Sequence, residues 1–161
     1  MTYAKGFFTS LRRKLGKFSA LGLQEKARFI EAYVMLGMMH MAVKSLPFKW
    51  LVRRLRQYHG GIEAPVLSAT QRETAIIVSK AVTTAANNTP WESACLVQAL
   101  AAQRMLQRRE VPGVFYLGVL HDATAKEGMR AHAWLLCGDL VVTGDGYDDF
   151  TTLSSFAWGA L

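Results

Sequence analysis

The sequence predicts an α+β chain, with helices first and an antiparallel sheet after them. Three observations carry this. Apolar residues recur at helical spacing up to about residue 109. Beyond that point, 114–120 (VFYLGVL), 131–137 (AHAWLLC) and 140–143 (LVVT) are short runs of β-branched, leucine and aromatic residues. Between the last two lies Gly138-Asp139, a tight hairpin signal. A chain of 161 residues is long enough for one domain with its own core. The expectation is a single unit over 1–161, divided into a helical subregion at 1–60 and a second part at 68–161.

Taken in order, residues 7–17 (FFTSLRRKLGK) form a basic amphipathic segment. Residues 24–46 read as a long apolar helix that Pro47 ends, because proline cannot continue it. Residues 48–58 place Trp50, Leu51, Leu55 and Tyr58 among arginines at roughly helical spacing. Gly60, Gly61 and Pro65 mark a break. Over 68–86 the residues Ala75, Ile76, Val78, Ala81, Val82 and Ala85 make one helical stripe, closed by Asn87-Asn88. Thr89-Pro90-Trp91-Glu92 then reads as a new helix start, running to about Arg109. Thr89 can cap, Pro90 suits the first helical position and Glu92 completes a capping box. A polar loop spans 121–130, between the first two strands.

Composition narrows the class. The net charge is +7, much of it in the first 60 residues. A basic face attracts nucleic acid, anionic lipid or acidic peptide, or is simply a solvated surface. No module interleaving aromatic and basic residues is evident, so nucleic acid is not expected. The most apolar stretch, 29–43, carries Glu31 and His40 and falls short of the ~20 residues of a membrane span. A buried helix is therefore expected there, and the N-terminus shows no secretory signal pattern. Two cysteines, Cys95 and Cys137, are too few for a disulfide framework and point to a reducing compartment. The histidines, at 40, 59, 121 and 132, lack metal-ligand spacing, so neither metal nor cofactor is expected.

Cys95 falls early in the helix that begins near Pro90. A thiolate at a helix N-terminus meets the positive end of the dipole and unpaired N–H groups. If Pro90 is the first helical residue, Cys95 lies in the second turn, where that effect has faded; if Ser93 is the cap, it lies in the first. A small buried helix residue is the plain alternative. Strand alternation puts His132 and Trp134 on one face, with Ala131 and Ala133 on the other. Asp139, Asp145, Asp148 and Asp149 follow. His132 lies six residues before Gly138 and Asp145 six after Asp139, so the two are expected as near neighbours across the hairpin. A carboxylate there would accept the imidazole N–H and fix its tautomer. Asp139, at the hairpin tip, is next in line for that part.

A helical cysteine followed by a histidine and an aspartate on adjacent strands is how transglutaminase-like (papain-like) cysteine peptidases build a triad. The stretch TPWESACLVQAL at 89–100, AHAW at 131–134 and a closing Leu153-x-x-Phe156 resemble the B protein of lasso peptide biosynthesis, specifically its stand-alone C-terminal peptidase part. The basic start and the Pro47-Phe48 pair after a long apolar helix agree with it. The resemblance implies a leader peptidase, with 68–161 as its catalytic core. Such an enzyme cuts the leader from a ribosomally made precursor, and a cyclase then joins the freed amine to a side-chain carboxylate.

The resemblance also implies roles. Cys95 matches the nucleophile and His132 the base. The acid often stands twelve residues after the histidine, which here is Gly144, with Asp145 one further on. Trp91, Gln98 and Trp134 are candidates to line the substrate groove, with core and surface packing as their alternatives; Gln98 is also a possible oxyanion donor. Implied partners are the precursor's leader, a small leader-binding protein and an asparagine-synthetase-like cyclase, in a bacterial cytoplasm and in a complex that can touch the membrane. The apolar, basic N-terminal half is a reasonable docking surface for them. Two other readings compete: an acyltransferase or transglutaminase on the same scaffold, and a non-enzymatic helical module that binds a membrane or a partner.

Overall fold

The computed structural model describes residues 22–124 and 128–159, so the basic segment at 7–17 lies outside the described residues. The elements are α1 (Leu23–Ser45), α2 (Phe48–Val52), β1 (Arg56–His59), α3 (Ala69–Ala86), α4 (Cys95–Gln107), β2 (Gly113–His121), β3 (Met129–Cys137), β4 (Leu140–Thr143) and β5 (Thr151–Trp158). The five strands form one antiparallel sheet in the order β1-β5-β2-β3-β4. Helices α1, α3 and α4 pack on one another, and α3 and α4 lie on the sheet. This is the α+β architecture that the sequence predicts.

Local chemistry explains most boundaries. In α1, Ala32, Met35, Leu36 and Met39 are buried at one-face spacing, and Pro47 follows the last turn. Ser68 caps α3: its hydroxyl accepts from the Gln71 N–H, and the Gln71 side chain accepts from the Ser68 N–H. Val111 follows α4 and is buried where the chain enters β2. The guanidinium of Arg109 grips Glu31 on α1 through two bonds of 2.5 and 3.1 Å, tying the end of α4 to α1.

Alternation along the strands divides the apolar residues between two faces. Phe115, Ala133, Leu135, Cys137, Phe156 and Trp158 join the core beneath the helices. Val114, Tyr116, Trp134 and Ala157 face the other way, under Tyr58, Ile62, Tyr147 and Phe150. The buried Tyr116 hydroxyl donates to the Ile62 carbonyl at 2.6 Å, and burial raises its pKa to about 12. Among the described residues no helix is long and apolar enough to cross a membrane.

Three expectations change. The helical reading of 48–58 holds only to Val52; Arg56–His59 is instead a strand paired with β5. Pairing with a strand at the far end of the chain overrides the local spacing, and it makes residues before 60 part of the sheet. The last strand, β5, has too many Ser and Thr positions for a clean apolar alternation, so only its Leu153 and Phe156 stand out in the sequence. The third change concerns the start of α4.

Candidate active site

Helix α4 begins at Cys95, with Ala94 as its N-cap. The predicted start at Thr89-Pro90 does not form, because Thr89 spends its hydroxyl elsewhere. Its Oγ1 donates to the carbonyl of Ala86 or Trp91, at 3.0 and 2.8 Å, and lies 2.9 Å from Ser93 Oγ. Residues 89–93 are thereby wound around one hydroxyl, and Ser93 is drawn away from capping. Alanine at the cap has no acceptor to offer. The first intrahelical bond runs from Gln98 N–H to the Ala94 carbonyl at 3.1 Å. The N–H groups of Cys95, Leu96 and Val97 therefore have no helical partner. Cys95 is half-buried at the first helical position, next to those groups, and packs against the helical core. An anion formed there, a thiolate or an oxyanion, would meet the positive end of the helix dipole.

The other thiol differs. Cys137 is fully buried in the core, and burial raises its pKa to about 12. Cys95 is the accessible cysteine of the two.

His132 lies on β3, half-buried. Its Nε2 is 3.1 Å from the Gly144 carbonyl oxygen. A carbonyl only accepts, so Nε2 carries the proton, and the lone pair of the neutral ring lies on Nδ1. The ring rests on Phe150, with centroids 5.0 Å apart, and on Trp134 at 6.0 Å. Trp134 in turn is sandwiched between Tyr116 and Tyr147, near-parallel rings with centroids 5.5 and 5.4 Å away. The acceptor's place comes from a β-bulge. Leu136 pairs with Val141, but Leu135 pairs with Thr143, so the register shifts by one at Val142. Gly144 then lies against Trp134 with φ +83°, where an added Cβ would meet the Ala133 oxygen at 2.5 Å.

The bulge decides which group stands beside the imidazole in this structure. Without the bulge, the hairpin count would set Asp145 beside His132. With it, the Gly144 carbonyl is the imidazole's partner, at the twelfth position after the histidine. Asp145 is exposed and makes no hydrogen bond or ion pair among the described residues. Asp139 is also exposed and pairs with Arg72 of α3; the hydrogen bond from Arg72 lowers its pKa. It has no part in holding His132.

The remaining candidates fall into packing positions. Trp91 leans on α1, with its ring centroid 5.5 Å from Tyr33 and 5.9 Å from His40, and pins the loop before Cys95 to that helix. Gln98 donates to the Ser93 carbonyl at 2.7 Å, closing the same loop. Trp134 is buried with both faces covered, so it positions His132 and does not meet a substrate from solution. The Gly144 carbonyl and the Phe150 ring are neighbours of His132 to which the sequence reading gave no part. The Gly144-x-Gly146 pair in a post-strand segment was their available signal.

No hydrogen bond joins Cys95 to His132. Cys95 packs with the helical layer, whereas His132 contacts Trp134 and Phe150 of the other face. β4 pairs only with residues 135–137 of β3; beyond them Gly144 and Phe150 lie against His132.

No curated protein and no solved structure matches the chain. The profile of the family described as the transglutaminase-like superfamily matches residues 42–155. That span covers α4, the bulged hairpin and most of β5; the chain belongs to the transglutaminase-like superfamily.

Proposed function

We propose that the protein is a cysteine peptidase that removes the leader from a ribosomally made lasso peptide precursor. The observation that carries the reading is Cys95 as the first residue of α4, with an N-cap that leaves the surrounding N–H groups free. Membership of a superfamily built on cysteine acyl chemistry supports it, as do the PW-x3-CL and AHAW sequences.

Catalysis requires the sulfur of Cys95, on the helical side, to reach Nδ1 of His132, which packs with Trp134 and Phe150 on the other face. The Gly144 carbonyl keeps Nδ1 as the basic nitrogen, so that atom takes the thiol proton. The thiolate attacks the last leader carbonyl, and the first-turn N–H groups of α4 receive the oxyanion, worth on the order of 3 kcal/mol. The imidazolium then protonates the departing amine, and water resolves the acyl-enzyme. The Gly144 carbonyl takes the orienting part that an aspartate plays in a full triad. A small leader-binding protein and an asparagine-synthetase-like cyclase complete the pathway in a bacterial cytoplasm.

The test is incubation with a leader-bearing precursor and its binding protein, followed by mass analysis. Two fragments are expected from the wild type and none from Cys95→Ala or His132→Ala, a loss of about 10³-fold or more. Continued cleavage by Cys95→Ala would rule out the peptidase reading. A product carrying an added amine in place of a free carboxylate would assign acyl transfer instead.

A further inference from the structure

Helix α1 precedes most of the family match, which begins at residue 42. Its outward face is nevertheless apolar: Ile30, Val34, Met38 and Met41 are each more than half exposed and recur at three- and four-residue spacing. Beside that stripe lies a cleft of about 410 Å³ between α1, the end of α2 and the last turns of α4. Met35, Met38 and Met39 form one wall; Arg54, Arg104 and Arg108 form the other.

No carboxylate among the described residues neutralises the arginine wall. The ion pairs among the described residues use Arg28, Arg72, Arg109 and Arg130, none of them from this wall. Both carboxylates of α1 are engaged, Glu25 with the Gly22 N–H and Glu31 with Arg109. Arg104 is held in place by the Leu51 carbonyl at 2.8 Å. Burial, followed by the like charges of Arg54, Arg108 and Arg53, lowers its pKa. Three guanidinium groups converging on one cleft would gain from an incoming carboxylate, which each can grip with two bonds. The chain's own first 21 residues do not supply one: they carry five cations and no Asp or Glu.

We propose that this cleft docks a segment of a partner polypeptide that carries carboxylates beside apolar side chains. Charge complementarity selects the acidic groups, and the methionine wall selects the apolar ones. Methionine's flexible thioether adapts to varied side chains, and an amphipathic helix laid in a groove presents both kinds on one edge. The concave shape and the apolar half of the lining favour such a segment over a flat anionic bilayer. The inference holds whether or not Cys95 cleaves peptide bonds.

The test uses the full-length Cys95→Ala protein, so that nothing is hydrolysed. The probe is a fluorescein-labelled helical peptide of roughly 15 residues, with Glu and Leu at three- and four-residue spacing. Anisotropy should show saturable binding, weakened about tenfold or more when Gln replaces every Glu. The double variant Arg54→Glu/Arg108→Glu should lose binding to the same degree with unchanged circular dichroism. If it fails to fold, Met38→Asp serves in its place and should weaken the acidic peptide similarly. Equal affinity for the Glu and Gln peptides, or no saturable binding up to millimolar peptide, would overturn the proposal. Sedimentation with phosphatidylglycerol vesicles that depends on Arg54 and Arg108, without peptide binding, would overturn it in favour of a lipid surface.

Discussion

The N-terminus of α4 and the rim of β3 are held in different ways. Around Cys95 the fixing bonds are short in sequence: Thr89 to Ala86, Trp91 and Ser93, and Gln98 to Ser93 and Ala94. Around His132 they are long. Gly144 is twelve residues away, and Trp134 is clamped by Tyr116, whose hydroxyl reaches Ile62, 54 residues distant. The setting of Cys95 therefore rests mostly on one loop, which Trp91 packs against α1. The setting of His132 depends on sheet register, and a register error of one residue would hand it a different partner.

That contrast is most sharply broken at Gly144. Its φ of +83° is one that alanine adopts only under strain, and the added Cβ would overlap the Ala133 oxygen. Gly144→Ala should cost about 3 kcal/mol in a urea titration and lower precursor cleavage about 100-fold, because the imidazole loses its acceptor. Asp145→Ala, one position along, should stay within about threefold of the wild type. A fall in Asp145→Ala as deep as that of His132→Ala would return the orienting part to the carboxylate. Unchanged stability and rate in Gly144→Ala would separate the bulge from the base altogether.

A smaller effect is expected where α4 meets α1. Burial opposes ionisation of Glu31, but the hydrogen bonds and charge of Arg109, with Arg28, outweigh it and lower its pKa below 4.5. A lowered folded pKa adds stability that is complete above the unfolded value and lost as pH falls through the folded one. Glu31→Gln should therefore cost about 2 kcal/mol at pH 7. The gap from wild type should narrow steadily below about pH 4.5 in chemical denaturation at several pH values. A gap that does not change with pH would mean that the pair adds packing alone.

The same contrast decides what was legible before folding. The apolar stripe over 68–86 and the stop at Pro47 are local signals, and the structure keeps both. Thr89 and Glu92 present an equally good local signal, yet the hydroxyl of Thr89 turns back to Ala86 and the helix starts at Cys95. Trp50, Leu51, Leu55 and Tyr58 fit a helix, but Tyr58 pairs with Ser155 of β5. No pattern within residues 56–59 encodes that partner. The bulge at Val142 is equally silent: hairpin counting reaches the right place and misses by one residue, which is the difference between a carboxylate and a carbonyl. Cys95 and His132 stand out as residue types, whereas the jobs of Trp91, Gln98 and Trp134 depend on contacts with Tyr33, Ser93 and Tyr147.

The least disruptive test addresses the Cys95 end. Ala94 already has the extended backbone of a cap, φ −57° and ψ 157°, so serine fits without strain. In Ala94→Ser the hydroxyl would accept from the Leu96 or Val97 N–H and stabilise the protein by about 1 kcal/mol. The same bond takes away a donor and some of the positive potential offered to an anion at Cys95. Thermal stability should therefore rise while cleavage falls, by roughly threefold to tenfold. The opposite signs are the informative part. If the first-turn N–H groups serve the reaction, an uncapped helix is the condition for activity, and the more stable protein is the slower one. If both quantities rise together, those groups play no part, and α4 starts with alanine for reasons unconnected to Cys95.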